Sequence, residues 1–297
     1  PLNVSRSYLQ SDANVKKIST YITKKVADRL EEIFKEQREQ YEQKWDNIKL
    51  FIEYGMLSDE KFCERAMKFT LLKNTDGKYF SIDDYRKAIE PAQTDKDKKL
   101  IFLYATDSEK QYFFIDAAKN QGYDVLLMDC ELDSHFVNLL ESKLENVRFA
   151  RVDSDSVDKL IQKGEEVKLE LSEDDKKALD EMFKSVLPQG NEYMVEARNL
   201  GETAVPVLIT QNEFMRRYRE MSAMGGGMNF YGSIPESYNI IVNMQNPLVA
   251  KIWNDRAVEG DNDLLRQVVD LALLSNGMLK GKDLSDFVAR SEKLLGK

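Results

Sequence analysis

Leu100-Ile101-Phe102-Leu103-Tyr104, Val125-Leu126-Leu127-Met128 and Val147-Arg148-Phe149-Ala150 are three short apolar runs of the length of strands. Between them, Ser108 to Asn120 and Leu132 to Leu144 have helical character. The resulting β-α-β-α-β order predicts a small parallel sheet with right-handed crossovers. The same order invites a dinucleotide-binding reading. The first strand-to-helix turn, Ala105-Thr106-Asp107-Ser108, lacks the glycines that let a backbone approach a pyrophosphate, so that reading is rejected. Cys130 and Glu131 stand at the end of the second strand, where catalytic groups could sit, and a structural role is expected for them.

Upstream of this segment the period is helical. Ser11 and Asp12 are N-cap candidates for a long helix whose apolar stripe is Val15, Ile18, Ile22, Val26, Leu30 and Ile33. Trp45, Ile48, Phe51, Ile52 and Tyr54 continue the apolar pattern to a turn expected at Gly55. Lys61 to Leu72 is predicted as a further helix. Asn74-Thr75-Asp76-Gly77 is a hairpin turn between Leu71-Leu72 and Tyr79-Phe80. Ser81 with Asp84 caps a short helix to Ile89, which Pro91 is expected to end. Asp95 to Lys99 is a solvated charge run.

Downstream, Val152 to Val167 is charged, and a domain boundary is placed near Leu169. Ser172-Glu173-Asp174-Asp175 starts a helix whose acidic first turn suits the helix dipole, with Ala178, Met182, Phe183 and Val186 facing inward. Tyr193–Ala197, Val205–Ile209 and Tyr238–Asn243 are strands, and Pro247 occupies a permitted first-turn position of another helix. Between the last two strands, Phe214, Tyr218, Met221 and Met224 form one helical stripe, with Arg216, Arg217 and Glu220 largely off it. Four of the eleven methionines, Met215, Met221, Met224 and Met228, cluster here, followed by Gly225-Gly226-Gly227. An apolar stripe at helical spacing is ordinarily core. Flexible, polarizable methionines beside a glycine tether also suit a surface that adapts to varied apolar partners.

Asp263 to Leu279 is apolar around much of its circumference, and Asp283 to Leu295 carries a second apolar set. Two terminal helices have too few neighbours to bury Leu264, Val268, Leu271, Leu274, Leu284, Phe287, Val288 and Leu294. Pairing with a second copy into a four-helix bundle solves this. Burying about five such side chains per chain, at roughly 1.5–3 kcal/mol each, would exceed an association cost of about 4–15 kcal/mol. A homodimer is therefore expected, with intramolecular packing onto the preceding strands as the alternative.

Composition narrows the function. A net charge of −9 argues against a nucleic-acid binder. No apolar run reaches the length of a bilayer-spanning helix. Two cysteines, Cys63 and Cys130, show no metal-ligand spacing and suggest a reducing compartment. With one histidine, His135, neither a Ser-His-Asp hydrolase nor a His-based metal site is expected, and no metal ligand is assigned.

The chain opens without Met on Pro1-Leu2-Asn3-Val4-Ser5-Arg6-Ser7-Tyr8-Leu9-Gln10, which reads as the tail of a strand, a loop and a helix start; a piece of a longer protein is expected. Arg6 on that loop is either a solvated cation or a functional group. Leu2-Asn3-Val4-Ser5-Arg6 followed by Leu9-Gln10 resembles the catalytic loop of the heat-shock protein 90 chaperone family, in its bacterial, HtpG type. The order of parts along the chain resembles it too. The resemblance implies that Arg6 reaches the γ-phosphate of ATP held by a separate N-terminal domain, that Gln10 supports the loop, and that Asn3 is a lesser contact. A permanently charged planar guanidinium suits that task. At Ser7 the chain departs from the family, which usually has an acidic residue there.

The fold class expected is mixed α+β and α/β. Residues 1–168 would be the end of a middle domain, with the catalytic loop at 1–10, a helical subdomain at 11–95 and a small parallel α/β sandwich at 96–168. Residues 169–297 would be an α+β dimerisation domain ending in the helix pair. The resemblance implies a chaperone of the stress response that binds unfolded or partly folded clients through Phe214, Met215, Tyr218, Met221 and Met224, with His135 and Asn138 in a second patch. It implies ATP and Mg for the full-length protein, no cofactor within this chain, and a bacterial cytoplasmic setting. The ending Leu294-Leu295-Gly296-Lys297 lacks the acidic peptide of eukaryotic cytosolic members. Two other readings of the residues stand beside this one. The first is an enzyme with its site in the sheet of residues 100–150 near Cys130. The second is a purely structural dimerisation module with the Met-rich stripe as core.

Overall fold

The computed structural model describes residues 13–165, 169, 171–224, 236–257 and 263–296, with the backbone alone for 218 and 220–224. The fold mixes helices with three small sheets, as the α+β expectation required. The chain divides into two compact units. One comprises residues up to Pro91 together with Leu126–Glu145. The other comprises Ala92–Val125 and the chain from Asn146 onward.

The first unit begins with α1 (Ala13–Glu36), α2 (Arg38–Ser58) and α3 (Glu60–Ala66). The apolar stripe of α1 does form on a helix, but Ile18, Ile22 and Val26 are exposed and Ala27 is buried. Gly55 is not a turn. It lies inside α2, where a Cβ would meet the Phe62 ring at 2.7 Å, so glycine serves close approach of α3. Asp59 then caps α3 by accepting from Phe62 N at 3.0 Å. The helix predicted over 61–72 stops at Ala66, because Leu71–Lys73 is recruited as β1 against β2 (Tyr79–Ser81). Asn74 Oδ1 holds the intervening turn by accepting from Asp76 N and Lys78 N.

Ser81 Oγ accepts from Asp84 N at the start of α4 (Ile82–Gln93), as its spacing predicts. Pro91 does not end this helix but sits in its last turn. A proline there removes one donor where the helix is already closing, which costs little.

In the second unit, β3 (Leu100–Ala105) precedes α5 (Tyr112–Asn120). The strand β4 (Val125–Leu127) begins at the unit boundary and the helix α6 (Asp133–Lys143) belongs to the first unit. In the second unit β5 (Val147–Arg151) pairs parallel with β3, Leu100 opposite Val147 and Tyr104 opposite Arg151. The sheet order is β4-β3-β5. Every residue of β3 is buried, and Phe102 and Phe149 pack at 4.9 Å between ring centroids.

A short α7 (Val157–Leu160) leads to α8 (Glu173–Lys184), capped by Ser172 Oγ accepting from Asp175 N. Its buried positions are Leu179 and Phe183, one turn apart; Ala178, expected inward, is exposed. The strands β6 (Glu192–Arg198) and β7 (Val207–Thr210) come next, then α9 (Glu213–Met224) and β8 (Ser237–Asn243). In the sheet order β6-β8-β7, β8 is parallel to β6 and antiparallel to β7. Asn246 caps α10 (Pro247–Asn254), with Pro247 at its first position. The terminal pair is α11 (Asp263–Ser275) and α12 (Gly281–Leu295). Their inner faces close a core with Phe183, Ile209, Ile240 and Val249.

Candidate functional site

Among the described side chains of α9, the charged ones hold it in place. Glu213, at its first turn, accepts from the Tyr104 hydroxyl at 2.6 Å, from Arg216 Nη2 at 2.8 Å and from Arg217 Nε at 2.6 Å. Its other oxygen accepts from Arg151 N at 3.3 Å. Arg217 also donates to Phe149 O, and Arg216 to the Tyr104 hydroxyl. Both guanidinium groups lie about 6 Å from the Tyr104 ring centre. Burial pushes the Glu213 carboxyl up, yet the charges of Arg216 and Arg217 outweigh it and hold the group below the usual carboxylate range. Burial, with the Glu213 charge, pushes the Tyr104 hydroxyl up.

The spacing Glu213, Arg216, Arg217 places acid and bases on one face at i, i+3 and i+4, and that face is turned to β3 and β5. Arg216, expected off the buried stripe, is itself buried. The two described apolar side chains lie outward: Phe214 is 74% exposed, and Met215 is also exposed. Tyr218, Met221 and Met224 continue the helix, but their side chains fall outside the described part, as do Met228 and the glycines after Met224. Sequence reading missed the anchor because a Glu with two Arg one turn on looks like a solvated surface pair. Its signal was a tyrosine near the end of a fully buried strand.

The same network bears on the enzyme reading. Ligands of open α/β sheets bind beyond the C-terminal ends of the strands. Here the ends of β3 and β5, Tyr104 and Arg151, are hydrogen bonded to Glu213. Cys130 is a poor nucleophile, since burial, with the neighbouring Glu53 and Asp133 charges, pushes its thiol up to about 11. On α6, His135 and Asn138 are half-buried and Phe136 is buried.

The terminal helices place the expected interface residues unequally. Val268 and Phe287 are buried within the chain, and Leu264 and Leu284 pack partly against the same core, so these four are largely used by intramolecular packing. Leu271, Leu274, Val288 and Leu294 are exposed, as is Leu295. Between the helices, Arg290 pairs with Asp270, and Gln267 bridges Arg290 and Ser291. Asn3, Arg6 and Gln10 lie outside the described residues. No helix among the described residues is long and apolar enough to cross a membrane.

The sequence profile of the family described as Hsp90 protein matches residues 1–297. The chain is 43% identical to the chaperone protein HtpG of Porphyromonas gingivalis, over 99% of this chain and 53% of that protein. It is 43% identical to the chaperone protein HtpG of Bacteroides fragilis, with the same coverage. To the HtpG of Ruthia magnifica it is 27% identical, over 99% of this chain and 47% of that protein. The chain thus spans about half the length of the curated relatives it matches. Matched by the profile from end to end, it belongs to the Hsp90 family of chaperones.

Proposed function

We propose that this chain is the client-binding and dimerising half of an ATP-dependent chaperone of the HtpG type. The observation that carries the reading is the orientation of α9. An amphipathic helix ordinarily buries its apolar face. This one is anchored through half-buried Glu213 and buried Arg216 and presents Phe214 and Met215 to solvent. An outward aromatic and methionine pair on a rigidly anchored helix suits transient contact with exposed apolar segments of unfolded proteins. The client patch continues through Tyr218, Met221 and Met224, with His135 and Asn138 as a second contact.

Dimerisation would use the outer faces of α11 and α12, that is Leu271, Leu274, Val288 and Leu294. Arg6, with Gln10 and Asn3, would act on ATP bound by a domain beyond this chain; nucleotide and Mg belong to that domain. The setting proposed is the bacterial cytoplasm.

Binding of a fluorescent unfolded protein to the wild-type chain and to Phe214→Asp tests the client role. A loss of about 1–2 kcal/mol, roughly tenfold in Kd, is expected for one exposed aromatic anchor, with thermal stability unchanged. Equal binding by both, together with protection of Met215, Met221, Met224 and Met228 from oxidation, would return the helix to the core reading.

A further inference from the structure

Within the first unit, α2 and the start of α6 bring together five groups from segments far apart in the sequence. Lys49 and Glu53 are one turn apart on α2. Asp129 and Cys130 precede α6, and Asp133 is its first residue. Lys49 Nζ is 3.2 Å from Asp133 Oδ2, 3.4 Å from Asp129 Oδ1 and 3.9 Å from Glu53 Oε1. Asp133 Oδ2 also accepts from Cys130 N at 2.7 Å. Glu53 is 1% exposed and Asp133 4%.

Two oxygens remain. Glu53 Oε2 and Asp133 Oδ1 are buried without a hydrogen-bond partner. A buried carboxylate oxygen in that state is costly unless a proton or a cation reaches it. One donor atom from each of Glu53, Cys130 and Asp133 lies within 4.8 Å of the others.

We propose that Glu53, Asp133 and Cys130 form a binding site for one zinc ion. A thiolate with two carboxylates is a donor set zinc accepts, and three protein ligands leave its fourth position for water. Magnesium and calcium need more oxygens than this cluster offers. On binding, Cys130 Sγ–H and the Glu53 carboxyl each release a proton to solvent, and thiolate and carboxylates take the ion. Lys49 and the Cys130 amide stay on Asp133 Oδ2 and orient that ligand from outside. The ion would tie α2 to the N-terminus of α6, the helix that carries His135 and Asn138.

The test uses the whole chain, stripped of metal, with zinc and cobalt as probes and magnesium as control. Zinc should bind at one equivalent against a chromophoric chelator. Cobalt should give a sulfur-to-metal charge-transfer band in the near ultraviolet. Cys130→Ser should abolish that band, Cys63→Ser should retain it, and Glu53→Gln should weaken zinc binding at least about tenfold. In the wild-type chain, zinc should slow alkylation of Cys130, a readout that depends on no variant folding. Sub-stoichiometric binding, a cobalt spectrum without the sulfur band, or alkylation of Cys130 unaffected by zinc would each overturn the proposal. In that event Lys49 and a shared proton are the site's only cations.

Discussion

Replacing Glu213 by alanine removes the acceptor on which three side chains and one amide converge. Arg216, with a side chain 5% exposed, and Arg217, at 12%, would keep their charges and lose their carboxylate. Stripping one partner from a buried ion pair costs about 3–5 kcal/mol, because the remaining charge stays desolvated. Glu213 itself is 23% exposed, which places the expectation at the lower end, about 3 kcal/mol, or roughly 150-fold in the docking equilibrium. The loss has a ceiling. If freeing α9 costs less than unfolding the second unit, the helix lifts off first and global stability records only that smaller amount.

Two measurements separate these cases. Urea melts followed by circular dichroism give the global change by linear extrapolation. Hydrogen exchange of the α9 amides gives the local one. Glu213→Gln, which preserves size and one acceptor, should lose less than Glu213→Ala. The acid limb supplies the sign. The Glu213 carboxyl is held below its unfolded value, so its contribution is present above the unfolded pKa and lost as pH falls through the folded one. Glu213→Gln should lack that part of the acid dependence. If Glu213→Ala stays within about 0.5 kcal/mol of the parent, with α9 exchange unchanged, the ionic anchor is not what holds the helix.

Two further outcomes rest on the same structure, and a third on the proposed role of the opening loop. Gly55→Ala should destabilise the first unit by about 1–3 kcal/mol despite the better helix propensity of alanine, because the new methyl meets the Phe62 ring at 2.7 Å; a stabilised variant in urea melts would contradict this. For the proposed dimer, Leu271→Asp should raise the dissociation constant at least about 100-fold, since a symmetric interface through this face would lose the burial of two leucines; sedimentation showing an unchanged dimer would exclude this face. Joined to a nucleotide-binding domain of the same family, Arg6→Ala should lower ATP turnover by about 10³-fold or more with nucleotide affinity preserved. Equal turnover would leave the opening loop as ordinary surface.

The parallel pairing of β3 with β5 was legible because an entirely apolar pentamer between turn signals has few other uses. The Ser81 and Ser172 caps were legible because a capping side chain acts within three residues of itself. The family, too, was legible in the order of these parts and the opening motif. Local energies decide such features, and local sequence records them.

Elsewhere the outcome was set by what packs against a segment. Gly55 looked like a turn and is a helix residue under Phe62. Leu179 displaced Ala178 from the buried face of α8, since the larger side chain gains more by burial. Val268 and Phe287 were withdrawn into the core, leaving Leu271, Leu274, Val288 and Leu294 outside. On α9 the charged face docks, because Tyr104 and the backbone of β5 offer partners that only the fold brings near. Glu53 and Cys130, in elements far apart along the chain, meet Asp133 for the same reason. Helical and strand periods depend on neighbours a few residues away and can be read from a single chain. Which face is buried, and against what, depends on groups brought close only when the chain closes on itself.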